Sequence, residues 1–302
     1  MTFETETTNM DKQRIGMIGV GMMGHGIARN IAAKGWPLAY LDHPGNQPTD
    51  DLDAVGATRV RAAATLVANV DVVILCVTGS AEIEAILTGS GGIIDVLRPG
   101  MTIVDCSTGI PSVTQAIASK VHDKGCAFVD AAMTRTPKEA EEGRLNLLIG
   151  GEVETIAKLT PLFEAFSENR FHAGPVGAGQ TLKLLHNYVS LGTITLMSEA
   201  AACAAENGID AEVFVDCLRR GGGHGAALER LAPYLLAGET AQIRFTNANA
   251  RKDLGYYNRL AEETGTRRDV AGGVLAALDW LNENGFDQAM VPEAATAFRS
   301  KS

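Results

Sequence analysis

The sequence predicts an α/β protein, in which a doubly wound, mostly parallel sheet is followed by an all-α region. Two observations carry this prediction. Short apolar runs alternate with helical patterns through the first half, which is typical of parallel strands joined by helices. After about residue 177 only helical patterns remain, with no internal repeat and no low-complexity segment. A chain of 302 residues that is 46% hydrophobic can also bury the core of two domains.

The first strand begins near Ile15 and runs directly into a glycine-rich segment. The first glycine of such a segment permits a tight turn, the second lets a pyrophosphate approach the backbone, and the third allows close helix packing. A second strand, Leu38–Leu41, ends at Asp42, whose carboxylate can accept hydrogen bonds from the adenosine ribose. Because a strand, a helix and an acid surround the glycines, we predict a Rossmann-type dinucleotide site. Its turn residues are Gly19, Val20, Gly21, Met22, Met23 and Gly24.

The residues after the second strand favour NAD over NADP as the cofactor. A site for NADP needs a cation to meet the extra phosphate. Asp42 is instead followed by His43 and Pro44, and no Arg or Lys occurs before Arg59.

Further strands are predicted from their apolar runs, and the segments that follow them should face the ligands. Ligands of parallel sheets bind beyond the carboxyl ends of the strands. The predicted strands are Asp71–Val77, Met101–Val104, Ala127–Asp130 and Leu145–Ile149. The candidate residues at their ends are Val77, Thr78, Ser107 and Thr108 for the cofactor, and Thr134, Arg135 and Thr136 for the substrate.

Composition argues against several classes of protein. A formal charge of −10 and a pI near 5.1 disfavour a nucleic-acid partner. The five cysteines include no CxxC pair, which predicts reduced thiols and a cytoplasmic location. Residues 1–13 predict a flexible arm rather than an export signal, and no segment predicts a membrane span. The histidines have no metal-ligand spacing, so we expect no metal, and His224 in its glycine-rich segment is interpreted as plain loop.

A long apolar helix, predicted from about Gln180 to Glu206, carries the main catalytic candidates. It follows the glycine-rich segment 174–179, so we place a cofactor domain at 14–176 and a helical domain at 177–302. Lys183 and Asn187 are four residues apart and share one helix face, with His186 beside them. Three polar groups on an otherwise apolar surface suggest a site, although a lone lysine in a helix is usually structural.

At this point the chain resembles the β-hydroxyacid dehydrogenase family, relatives of 3-hydroxyisobutyrate dehydrogenase, tartronate semialdehyde reductase and 6-phosphogluconate dehydrogenase. The resemblance covers nearly all of the chain and rests on five ordered motifs. They are the 19–24 turn, Asp105 to Thr108 with Pro111, Asp130 to Thr134, Gly177 to Asn187, and Lys252-Asp253-Leu254.

The resemblance implies roles for several of these residues. It implies that Lys183 is the catalytic acid/base, that Asn187 binds the reacting oxygen and that Lys252 lies close to the cofactor. The chemistry is reasonable, because alcohol oxidation needs a base near the hydroxyl and burial lowers the pKa of a lysine. The match of Lys183, His186 and Asn187 to 6-phosphogluconate dehydrogenase is partial, because the acid needed for decarboxylation would fall at Ser190.

The chain departs from many relatives at Thr134-Arg135-Thr136, where they carry Ser-Gly-Gly and hold the substrate carboxylate. A guanidinium between two hydroxyls could bind a carboxylate, a sulfonate or a phosphate at two points. The same Arg-Thr pair resembles the sulfolactaldehyde reductase branch, whose substrate carries a sulfonate. Arg135 could also be a solvated surface charge.

The sequence therefore predicts an NAD-dependent oxidoreductase that interconverts a small anionic 3-hydroxy acid and its semialdehyde. Its predicted partners are the small anionic substrate and other copies of the chain, in a homodimer or homotetramer, with no nucleic acid and no membrane. Two alternatives remain open: a reductase of a sulfonated or other strongly anionic aldehyde, and a non-catalytic nucleotide-binding protein. An imine reductase is less favoured, because Lys183 keeps the proton-transfer position.

Overall fold

A computed structural model describes residues 12–299, and most of the predicted arm, residues 1–11, lies outside the described residues. The described chain divides into two compact units, one that ends at Gln180 and one that begins at Thr181. The first unit contains an eight-stranded sheet in the order β3-β2-β1-β4-β5-β6-β7-β8. The strands are β1 Ile15–Ile18, β2 Leu38–Leu41, β3 Thr58–Val60, β4 Val72–Leu75, β5 Thr102–Asp105, β6 Ala127–Thr134, β7 Leu145–Gly150 and β8 Ser167–Gly174.

All neighbouring strands are parallel except β6 and β7, which pair antiparallel, so the predicted α/β class with a mostly parallel sheet is confirmed. Apolar residues alternate between two cores. Ile15 and Met17 contribute to one core, and Val73 and Leu75 contribute to the other. The helices α1 Gly24–Ala33, α2 Asp50–Ala54, α3 Ala63–Ala68, α4 Ser80–Thr88, α5 Pro111–His122, α6 Pro137–Glu141 and α7 Val153–Phe163 belong to this unit.

The strand β6 is longer than the sequence predicts. We expected it to end at Asp130, but it continues to Thr134, because residues 131–134 are buried and pair with β7. Two strands were not predicted. β3 has only three residues, and β8 is an edge strand of mostly polar, exposed residues without an apolar run.

The second unit is helical, as predicted. Its helices pack around two apolar cores that include Leu254 in one and Leu184 in the other. The helices are α8 Ala178–Glu206, whose first three residues belong to the first unit, α9 Ala211–Arg220, α10 Ala226–Ala237, α11 Asn247–Glu263, α12 Asp269–Glu283 and α13 Ala294–Ala297. Among residues 12–299, no helix has the length and apolar character to cross a bilayer.

Candidate functional site

The glycine-rich turn joins β1 to α1 and has the shape of a phosphate cradle. Gly19 has a φ of +95°, and a Cβ there would lie 2.2 Å from the carbonyl oxygen of Cys76. A Cβ on Gly24 would lie 2.0 Å from the carbonyl oxygen of Gly19, whereas a Cβ on Gly21 would meet nothing within 4 Å. The first and third glycines therefore close the turn, and the second faces open space.

The N-terminus of α1 provides donors for an anion. No side chain caps this helix, and its first turn contains no acidic residue. The N–H groups of an uncapped first turn can hold a pyrophosphate, which the helix dipole also favours. Among the other predicted turn residues, Met22 is exposed and Met23 is half-buried, whereas the side chain of Val20 is in the core. The residues present thus fit a dinucleotide.

The segment after β2 is hydrogen-bonded to the glycine-rich turn. Asp42 is exposed, and its backbone N–H donates to the carbonyl oxygen of Val60 at 2.7 Å. Asn46 accepts a hydrogen bond from the backbone N–H of Val20 at 3.3 Å, and the N–H of Gln47 donates to the carbonyl of Val20 at 2.8 Å. The Asp42 carboxylate is therefore at the end of β2, next to the cradle, as a ribose ligand must be.

At the carboxyl ends of β4 and β5, the predicted cofactor residues differ in accessibility. Thr78 is exposed, and Val77 and Thr108 are half-buried. Ser107 is 3% exposed, and its hydroxyl accepts the N–H of Val77 at 2.9 Å and hydrogen-bonds Asp105. Its hydroxyl thus ties two strand ends together, an internal role that the sequence did not indicate.

Two buried carboxylates and a glutamine form a network that sequence reasoning missed. Asp130 accepts the backbone N–H groups of Gly177 at 2.7 Å and Gln180 at 2.8 Å. The side chain of Gln180 accepts the N–H of Gly109 at 2.8 Å and donates to Asp105 at 3.3 Å. Desolvation by burial raises the pKa of each carboxyl group to about 6, despite these hydrogen bonds. The network anchors the first turn of α8 to the end of β5 and to the middle of β6.

The predicted anion clamp has a different arrangement from the expected one. Thr134 is buried, and its hydroxyl accepts a hydrogen bond from Asn146 at 3.0 Å. Arg135 has a φ of +83°, and its guanidinium forms an ion pair with Glu168 and donates to the carbonyl oxygen of Arg144.

The remaining member of the clamp, Thr136, forms a capping box with Glu139 at the start of α6. The structure therefore provides internal partners for all three side chains. The role of Thr134, Arg135 and Thr136 in substrate binding stays a prediction.

In the helical unit, α8 and α11 bring four of the polar residues together. Asn187 is 6% exposed, and its Nδ2 donates to Oδ2 of Asp253 at 2.6 Å. The other oxygen of Asp253 lies 3.3 Å from Nζ of Lys252. Nδ1 of His186, which is exposed, lies 3.1 Å from Oδ1 of Asn187. Asp253 is 2% exposed and was missed as a site residue, although it stands beside Lys252 in the sequence.

The pKa of Lys183 is lowered, chiefly by burial. The positive charge of Lys252 lowers this pKa further, and the negative charge of Asp253 opposes both effects. Partial desolvation of the imidazole ring lowers the pKa of His186, and the charges of Lys183 and Arg230 lower it further, while the hydrogen bond to Asn187 opposes these effects. A lysine with a depressed pKa can lose and regain a proton more easily than an ordinary lysine.

The predicted site residues therefore form two groups, one in each unit. The cofactor candidates surround the carboxyl ends of β1, β2, β4 and β5, and the proton-transfer candidates Lys183 and Asn187 share the helical unit with Lys252. Within residues 12–299, no three His, Cys, Asp or Glu side chains are arranged to hold a metal ion.

Known families match both units. Residues 14–174 match the family described as the NAD binding domain of 6-phosphogluconate dehydrogenase. Residues 177–291 match the family described as NAD-binding of NADP-dependent 3-hydroxyisobutyrate dehydrogenase.

Individual relatives agree with these matches. The chain is 31% identical over 280 residues to an NAD-dependent L-serine dehydrogenase of Pseudomonas aeruginosa, covering 91% of this chain and 94% of the relative. It is 31% identical over 197 residues to 2-hydroxy-3-oxopropionate reductase of Escherichia coli, covering 65% and 67%. The fold matches a solved Mycobacterium tuberculosis 3-hydroxyisobutyrate dehydrogenase with a TM-score of 0.85 at 22% identity, over 96% of this chain and 100% of that one.

The matches, the cradle between β1 and α1 and the helical second unit agree with one another. They confirm the resemblance that the motifs carry. The chain belongs to the β-hydroxyacid dehydrogenase family, whose members are NAD(P)-dependent oxidoreductases acting on the CH–OH group of hydroxy acids.

Proposed function

We propose that this protein interconverts a small anionic 3-hydroxy acid and its semialdehyde, with NAD(H) as the preferred coenzyme. The similar proteins named above act on L-serine and on 2-hydroxy-3-oxopropionate. Both compounds have a carboxylate and an oxygen on the third carbon. This shared chemistry supports a substrate with the same two groups.

The observation that carries the proposal is the polar cluster of Lys183, Asn187 and Asp253 in the helical unit. The lowered pKa of Lys183 suits an acid/base, since proton transfer is most efficient when the pKa lies near the working pH. The hydrogen bond to Asp253 fixes the amide of Asn187 and leaves its second N–H for the substrate oxygen.

Proton transfer follows from these groups. When bound, the nicotinamide coenzyme accepts or supplies the hydride. In oxidation, Nζ of neutral Lys183 takes the hydroxyl proton as the carbonyl forms. In reduction, the ammonium returns this proton to the nascent alkoxide, and Asn187 donates a hydrogen bond to the same oxygen. His186 and Lys252 are proposed as neighbours of the substrate and the coenzyme.

The preference for NAD rests on Asp42. Its exposed carboxylate can accept hydrogen bonds from the 2′- and 3′-hydroxyls of the ribose, and its negative charge repels a 2′-phosphate. Gly19, Gly21 and Gly24 supply the cradle for the pyrophosphate. The five cysteines are free thiols, which supports a reducing compartment such as the cytoplasm.

The test is a panel of 3-hydroxy acids and semialdehydes with NAD(H), repeated with Lys183→Met. L-serine, glycerate and 3-hydroxyisobutyrate form the carboxylate arm, and sulfonated analogues form the second arm. We expect the variant to lower kcat by at least about 100-fold while NADH affinity changes little. Lys158→Met, at an exposed lysine of α7, is the matched control.

Each contrary result has a definite meaning. Ordinary turnover by Lys183→Met would refute the acid/base assignment. Absence of hydride transfer with every substrate would instead favour the non-catalytic nucleotide-binding alternative. The sulfonate alternative needs a free guanidinium at position 135, and the pairing of Arg135 with Glu168 argues against it. A higher kcat/KM for the sulfonates would reverse that conclusion.

We also propose that the protein is a homodimer or homotetramer. The support is a stripe of exposed apolar side chains on one face of α8, formed by Leu185, Val189 and Leu196. Exposed apolar stripes on a long helix are typical of subunit interfaces.

A further inference from the structure

Arg59 lies in β3 and Arg61 directly follows the strand, and the two arginines have different surroundings. Arg59 donates to the hydroxyl of Tyr40 at 3.0 Å, to Thr49 at 2.9 Å and to Asp53 at 2.7 Å, so its charge is used inside the unit. Arg61, two residues later, is exposed, and across residues 12–299 it forms no ion pair. Of the two, only Arg61 has its guanidinium available to a ligand.

The sheet register places Arg61 beside Asp42. β2 and β3 are parallel, and Leu41 is the register partner of Val60. The N–H of Asp42 continues this ladder by donating to the carbonyl of Val60 at 2.7 Å. In a parallel ladder this bond makes Arg61 the next partner of Asp42, although 18 residues of chain separate them in the sequence.

The two neighbours have opposite effects on an adenosine ribose. A carboxylate accepts a hydrogen bond from the free 2′-hydroxyl of NAD and repels a 2′-phosphate. An arginine instead binds a phosphate through two charge-assisted hydrogen bonds. Neither side chain is neutralised by an ion pair within the described residues. The coenzyme preference is then set by the difference between the two effects.

We propose that Arg61 is a specificity-determining residue that contacts the 2′-phosphate of NADP(H), so that the protein binds both coenzymes while Asp42 favours NAD(H). This inference rests on the proposed coenzyme site but not on the proposed substrate or on Lys183. It revises the expectation from the sequence, which found no cation after β2 because the cation comes from the neighbouring strand.

The test measures the Kd of NADH and NADPH by nicotinamide fluorescence, without turnover, for four proteins. These are the wild type, Arg61→Ala, Asp42→Ser and the double variant. We expect Arg61→Ala to weaken NADPH binding about tenfold or more relative to NADH binding. Asp42→Ser should tighten NADPH binding, and the double variant should lose that gain. Arg267→Ala, at a solvent-exposed arginine, controls for the loss of a surface charge.

The outcomes separate this inference from the proposed function. Equal changes in NADH and NADPH affinity in Arg61→Ala, or no change in either, would overturn the role of Arg61. A wild type that binds only NADH would overturn the proposal that the protein binds both coenzymes. Retention of the NADPH gain by the double variant would overturn the contact between Arg61 and the 2′-phosphate. Absence of binding of either coenzyme to the wild type would refute the coenzyme site itself, and with it the proposed function.

Discussion

The protonation state of Lys183 depends on two neighbours of opposite charge. Burial and Lys252 lower its pKa, and Asp253 raises it. Because Asp253 is buried and also fixes Asn187, one carboxylate affects both the proton donor and the group that orients the oxygen. Asp253 is therefore expected to act as a positioning residue, through Lys183 and Asn187, and not to transfer the proton itself.

Replacement of Asp253 by Asn should change the pH dependence of kcat. Without the negative charge, the pKa of Lys183 falls further. Oxidation requires the neutral amine, so its rate rises as the pH passes this pKa, and the rising limb should move to lower pH. Reduction requires the ammonium, so its falling limb should move in the same direction. The measurement is a pH–rate profile in both directions.

Asp279→Asn is the matched control, because Asp279 pairs with Arg251 at the surface of the same unit. Its pH profile should match that of the wild type. If Asp253→Asn lowers the rate by an equal factor at every pH, Asp253 acts on Asn187 alone and does not set the charge of Lys183.

At the scale of elements, the glycines of the β1–α1 turn have different roles, one in folding and one in binding. Gly24 has no room for a Cβ because the carbonyl of Gly19 fills that space, whereas Gly21 borders open space. Glycine is thus needed for packing at position 24, whereas at position 21 it leaves space for a ligand.

Alanine substitutions should distinguish the two roles. Gly24→Ala forces the turn apart, and we expect a loss of about 1–3 kcal/mol in the free energy of unfolding together with weaker NADH binding. Gly21→Ala should leave the free energy of unfolding nearly unchanged and weaken NADH binding, because its methyl group enters the space for the pyrophosphate. Urea unfolding and NADH titration measure the two effects. A Gly21→Ala variant that binds NADH normally would place the pyrophosphate elsewhere.

Most elements could be predicted from the sequence because their signals are local. The helix predicted from about Gln180 to Glu206 is observed as Ala178–Glu206, since a glycine-rich segment precedes its apolar residues and Gly208 follows them. β8 escaped prediction because an edge strand exposed to solvent needs no apolar run.

The residues of the candidate site that the sequence did not predict were missed for a different reason. Asp253 meets Asn187 across two helices, 66 residues apart, and Arg61 becomes the neighbour of Asp42 through strand order. Spacing in the sequence does not contain such pairings. The motifs identified Lys183 and the glycines because each of those carries its own local context.

At the scale of the whole molecule, the apolar character of α8 bears on assembly. Leu185, Val189 and Leu196 are 43%, 66% and 63% exposed. Their spacing of four and seven residues places them on one helix face. Complete burial of a fully exposed Leu or Val side chain contributes about 1.5–3 kcal/mol, and a half-exposed one contributes roughly half as much. A stripe of three can thus support a subunit interface.

Leu196→Glu should therefore reduce the molar mass of the protein in solution toward that of one chain, 31.8 kDa. A buried, unpaired carboxylate would oppose association, while in a monomer the same side chain would be solvated. Sedimentation equilibrium over a range of concentrations measures the mass. Val153→Glu, at an exposed apolar position of α7 in the other unit, controls for the added charge and should keep the wild-type mass. A wild-type protein that sediments as a monomer, or a Leu196→Glu variant that retains its mass, would remove the stripe from the interface.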